Sequence, residues 1–194
     1  MQSFLNEVAK KIIDSNNDLS LIRIIVPNLR AIKFLKEALK NELEVAALAP
    51  QILSIEEFIN ELSGIEKATN IDLLFTFYKI YQEHTPEKEQ NSLNQFLNWA
   101  PSLLQEFNEI DVQLIDANLI FSFMGAIERI EEWDGKKLGD LGKQFFKFQE
   151  RVLLYYSKLY KKLQSQQLGY SGLQYREATQ NLGHYIQSDH PFHY

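Results

Sequence analysis

The sequence predicts an α/β fold with strong helical excess: a small, incomplete parallel sheet near the N-terminus and a helical bundle after it. Three observations lead there. Leu21-Ile22-Arg23-Ile24-Ile25-Val26 is a short β-branched run stopped by Pro27-Asn28, which reads as a strand. Up to about residue 69 the order is helix, strand, helix, strand, helix, and such units build parallel sheets. From about residue 70 onward, apolar residues recur at helical spacing. Two strands are too few for a finished sheet, hence the incompleteness.

Taken in order, residues 3–15 form the first helix, with Phe4, Leu5, Val8, Ile12 and Ile13 on one side. A second helix covers 29–42, its apolar residues being Ile32, Phe34, Leu35 and Leu39. Glu44-Val45-Ala46-Ala47-Leu48 is the expected second strand, ending at Pro50. Ser54-Ile55-Glu56-Glu57 has capping-box spacing, which starts a helix at Ser54 running to about Ser63. Asn70 opens a helix reaching His84, with Leu73, Leu74, Phe77, Tyr78 and Tyr81 inward. Leu93 to Phe107 is helical by periodicity, but Pro101 predicts a kink, or two helices meeting near Trp99 and Ala100. Two short helices are expected over 111–130 and a glycine-punctuated loop over 134–142. The longest helix runs over 143–167, with Phe145, Phe148, Val152, Tyr155, Leu159 and Leu163 as its apolar stripe. A short helix over 171–180 and an irregular tail over 184–194 close the chain.

With 45% apolar residues, 24% charged, thirteen Phe and nine Tyr, the chain has the material for a real core. It contains no Cys, which excludes disulfides and thiolate metal sites. The N-terminal stretch is broken by Asn6, Glu7, Lys10 and Lys11, unlike a signal peptide, and no run approaches the roughly 18 apolar residues of a membrane span. The expected setting is therefore cytoplasmic, with no membrane partner. The formal net charge of -6 runs against a free-standing DNA binder, which usually carries a basic face. DNA contact, if made, is expected to be weak in isolation.

Catalytic motifs fail on inspection. Around Gly142-Lys143 a phosphate loop would need glycine at 137 and Ser or Thr at 144, where Lys137 and Gln144 stand. Leu114-Ile115-Asp116 reads as a helix cap at Asp116 in preference to a metal-holding acid. Asp134-Gly135-Lys136 matches half of a nuclease motif by letter only. The acidic groups Glu106/Glu109/Asp111 and Glu128/Glu131/Glu132 read as solvated faces, and His184, His190 and His193 have no standard metal spacing. No catalytic residue, cofactor or metal ligand is expected. On the long helix Lys143, Lys147, Arg151, Lys158 and Lys162 project to roughly one side; this reads as a solvated face before it reads as a surface for a phosphate backbone.

Several segments in order carry a resemblance: Met1-Gln2-Ser3-Phe4-Leu5, Ile24-Ile25-Val26-Pro27-Asn28-Leu29-Arg30-Ala31, Pro50-Gln51-Ile52-Leu53-Ser54-Ile55, Leu73-Leu74-Phe75, Phe96-Leu97-Asn98-Trp99, Leu104 through Asp111 and Gly169-Tyr170-Ser171-Gly172. They resemble the N-terminal region of Bacteroidetes-type proteins of the PD-(D/E)XK nuclease family, similar to the AddB subunit of the AddAB helicase–nuclease. The resemblance implies an inactivated superfamily 1 helicase region with a partial RecA-like unit over 1–69. A helical, 1B-like subdomain over 70–183 follows, then the tail over 184–194. It also implies a longer native protein, an AddA-like helicase subunit as partner, and work on broken DNA ends. Asn28 and Arg30 then become the candidate DNA contacts, with Lys147 and Arg151 behind them. One departure stands out: where the family has two consecutive basic residues, Leu29 precedes Arg30. The alternative is a free-standing helical module that binds another protein.

Overall fold

The structure is a computed structural model that describes residues 4–15, 18–44, 46–120 and 140–187, with side chains described at all of these except 140–150 and 187. The chain forms two compact units, Met1–Ser63 with Ala178–Tyr194, and Gly64–Glu177. The second unit is therefore one continuous stretch set within a discontinuous first unit. The expected boundary lay at 69/70; the structure puts it at 63/64.

In the first unit, α1 (Phe4–Ser15) is followed by β1 (Arg23–Val26), α2 (Leu29–Glu42), β2 (Gln51–Ser54) and α3 (Ile55–Ser63). The two strands pair in parallel, from Arg23 against Gln51 to Val26 against Ser54. Ile24, Val26 and Ile52 share one sheet face with Ala9 of α1 and Leu35, Ala38 and Leu39 of α2, making a small apolar core. On the alternate positions Arg23 bonds Gln51 and Glu61, both at 2.9 Å, and meets Tyr185 at 2.6 Å.

The second strand is not where periodicity placed it. Residues 46–50 are irregular and Leu48 is 75% exposed, whereas the ladder begins just past Pro50, where Gln51 donates its N–H to Ile22 O at 3.0 Å. A proline has no N–H for a ladder, so it tends to precede a strand. Ile52 of this strand joins the apolar core. Of the apolar residues named on the first two helices, Phe4 and Phe34 face solvent, at 75% and 54% exposure. The Ser54 capping box forms as expected, with Ser54 N–H on Glu57 Oε2 at 2.8 Å and Glu57 N–H on Ser54 Oγ at 3.2 Å. Glu57 is held below its usual range by the Ser54 N–H and the Ser54 hydroxyl, which both donate to its carboxylate. Gly64, at φ 65°, ends α3 in the left-handed conformation that glycine adopts without Cβ strain.

The second unit holds β3 (Glu66–Lys67), α4 (Asn70–His84), α5 (Leu93–Val112), α6 (Asp140–Ser165), β4 (Leu168–Gly169) and the first residues of α7 (Ser171–Gln187). The rest of α7 belongs to the first unit, so the region expected as an irregular tail is helical as far as Gln187. The cap of α4 is Thr69, one residue earlier than expected; its Oγ1 accepts from Asp72 N at 3.2 Å.

Fully buried Phe77 meets Phe96, Trp99, Phe107 and Tyr155 edge-on at 5.2–6.0 Å between centroids. Val152, Tyr155, Leu159 and Leu163 bury the expected stripe of α6, while Phe145 and Phe148 fall among the side chains outside the described set. Helix α5 runs through Pro101 as one element. A proline inside a helix costs about 3 kcal/mol. Burying Phe96 and Phe107 returns about 1.5–3 kcal/mol for each, so packing outweighs the lost bond.

Residues 117–120 are helical behind Asp116, whose Oδ1 accepts from Asn118 N at 2.9 Å, the cap expected there. The remainder of the 111–130 and 134–142 expectations falls largely on 121–139, outside the described residues. No helix among the described residues is long and apolar enough to cross a membrane.

Candidate functional site

Sequence reasoning missed the pair β3 and β4, each only two residues long and without periodicity. They run parallel, Glu66 beside Leu168 and Lys67 beside Gly169. Glu66 N donates to Gln167 O at 2.8 Å and Ala68 N to Gly169 O at 2.9 Å. Both strands run almost directly into helices: β3 through Ala68 and Thr69 into α4, β4 through Tyr170 into α7. The register therefore sets the starts of α4 and α7 beside each other.

A half-open cleft of about 420 Å³ lies at this end of the pair. Lys67, Ala68 and Asn70 border it from β3 and the start of α4, with Leu73 and Leu74 one turn further along. Helix α5 contributes Pro101, Leu104, Gln105 and Asn108, and the β4–α7 junction contributes Tyr170 and Ser171. Gly172 is required at its back: a Cβ there would stand 2.3 Å from Asn108 O, while the Gly172 N–H donates to Asn108 Oδ1 at 2.8 Å.

Beside the cleft lies a buried polar network centred on Asp111, which is fully buried and not part of a solvated acidic face. Its carboxylate accepts from Tyr156 Oη at 2.5 Å, Tyr170 Oη at 2.5 Å and Arg176 Nε at 2.6 Å. Arg176 Nη2 also reaches the carbonyls of Ile110 at 3.0 Å and Ile115 at 2.6 Å. Burial first, then the neighbouring carboxylate, pushes the Tyr156 and Tyr170 hydroxyls above their ordinary titration range. A carboxylate holding two phenols and a guanidinium is a structural clamp, poorly placed to take a proton from a substrate. Nearby, Tyr160 donates to Glu177, which also accepts from Gln164 at 3.2 Å. No group of three or more His, Asp or Glu among the described residues is placed to hold a metal ion.

The four residues singled out from sequence fall two in each unit. Asn28 and Arg30 meet at the turn after β1. Asn28 is the N-cap of α2, its Oδ1 accepting from Ala31 N at 3.0 Å, so its side chain has a structural task. Arg30 is exposed on the first turn of α2. Lys147 and Arg151 lie on α6. The Lys147 side chain is outside the described set, and Arg151 is engaged with Glu89 at 2.5 Å. Lys158 and Lys162 are exposed.

Comparison with known proteins finds no family that matches this chain and no matching curated protein.

Proposed function

We propose that this chain is the non-catalytic, helicase-like N-terminal region of a DNA double-strand-break repair helicase–nuclease subunit, acting as a scaffold and a weak guide for DNA beside an AddA-like helicase subunit. The observation that carries the reading is the order of the units. A parallel α/β unit is interrupted after Ser63 by a helical unit and resumed at Ala178. A RecA-like unit with a 1B-like helical insertion, as the sequence resemblance implies, has that order. Arg30, exposed beside the strand-ending turn, is the favoured cation for the phosphate backbone, and Asn28 acts by fixing the helix start. Arg151, already paired with Glu89, ranks behind it.

Fluorescence anisotropy with a single-strand-tailed duplex tests the proposal. Binding at about 50 mM salt that falls steeply by about 200 mM is the expected result. No binding at the lower salt would remove DNA guidance and leave only a scaffold. The second reading, a protein-interaction module, has Ile71 and Phe75 in its favour. They lie one turn apart on α4 and are 65% and 53% exposed.

A further inference from the structure

The cleft at the ends of β3 and β4 plays no part in the function proposed above, yet it has the make-up of a ligand site. Small-molecule sites are mostly apolar concavities of roughly 300–1,000 Å³ with a few polar groups at defined places. This one has an apolar wall of Leu73, Leu74 and Leu104, and polar groups at Lys67, Asn70 and Gln105. Its charge runs against that of the chain. Acidic residues outnumber basic ones by 26 to 20, but Lys67 is the charged residue of the lining and, among the described residues, no carboxylate borders the cleft. Lys67 is itself exposed, so its charge alone is weakly felt, and an anion gains most there when it also brings apolar surface to the leucine wall. A volume of about 420 Å³ lies within the range of small-molecule sites.

We propose that the cleft binds a small organic monoanion with an apolar body, an aryl- or alkyl-carboxylate of about a dozen heavy atoms. The carboxylate lies toward Lys67 and Asn70, and the apolar body against Leu73, Leu74 and Leu104. A polyanion such as a nucleic-acid backbone fits poorly, because the lining offers one cationic side chain beside an apolar wall.

Backbone amide NMR of the full chain tests this, with 4-phenylbutyrate, its uncharged amide and inorganic phosphate as probes. For 4-phenylbutyrate, saturable shifts at Ala68, Leu74, Gln105 and Asn108 are expected with a Kd of about 1–10 mM, the range its atom count supports. The amide should bind about tenfold more weakly and phosphate should leave these amides in place. Lys67 is exposed, so Lys67→Gln keeps the fold while lowering affinity for the acid and not for the amide. Leu104→Trp, if its spectrum stays dispersed, fills the cleft and abolishes both. Absence of any concentration-dependent shift at these amides up to about 50 mM overturns the proposal. Equal affinity for acid and amide, phosphate shifting the same amides, or indifference to Lys67→Gln each overturn it as well.

Discussion

At the scale of single residues, Asp111 is where a small change should cost most. Asp111→Asn leaves Arg176 short of its counter-charge in a largely buried setting, and breaking such a pair costs about 3–5 kcal/mol. Urea unfolding should show that loss in the midpoint; a change within about 0.5 kcal/mol would mean the network is peripheral. The phenols add a pH signature. Tyr156 and Tyr170 hold their protons more tightly folded than unfolded. Their contribution is complete below about pH 10, the unfolded value, and is lost as pH rises beyond it. Thermal melts should therefore fall more steeply between about pH 10 and 12 for the native chain than for Tyr156→Phe. Parallel curves would contradict that. Sequence spacing could not reveal this centre. Asp111 lies four residues after buried Phe107, on its side of the helix, but its polar partners lie 45, 59 and 65 residues away.

At the scale of elements, local signals were legible and pairing was not. Ser54 and Glu57 form the expected capping box because both partners lie within one turn. Ser92 and Gln95 form another at the start of α5, from a spacing equally visible in the sequence. β2 was misplaced because a strand is defined by its neighbour: residues 46–50 are irregular and the ladder to β1 begins at Gln51. The end of α5 carries a testable strain. Leu114 sits at φ 54°, with Leu114 N on Asp111 O at 3.1 Å and Ile115 N on Ile110 O at 3.0 Å, the bonds of a Schellman turn. Glycine normally takes that position, and Leu114 is 47% exposed. Leu114→Gly should therefore raise stability by about 1 kcal/mol in urea unfolding, despite the freedom glycine adds to the unfolded chain. A loss of similar size would mean that the Leu114 side chain contributes packing beyond its exposure.

At the scale of the whole molecule, the two units answer different questions. The α/β unit carries Arg30 at the strand-ending turn, and the helical unit carries the cleft. The mixed α/β class and helical excess were legible because β-branched runs and helical periodicity are local patterns. The return of the chain to the first unit at Ala178 was not, because nothing in the composition around 171–180 marks a change of unit. The claim that matters most is that the first unit guides DNA through Arg30. The most direct test is the slope of log affinity against log salt for a single-strand-tailed duplex, measured for the native chain and for Arg30→Glu. Losing one phosphate contact should reduce the slope by about 1 and weaken binding at every salt concentration. An unchanged slope and affinity would contradict the account and place any DNA contact elsewhere.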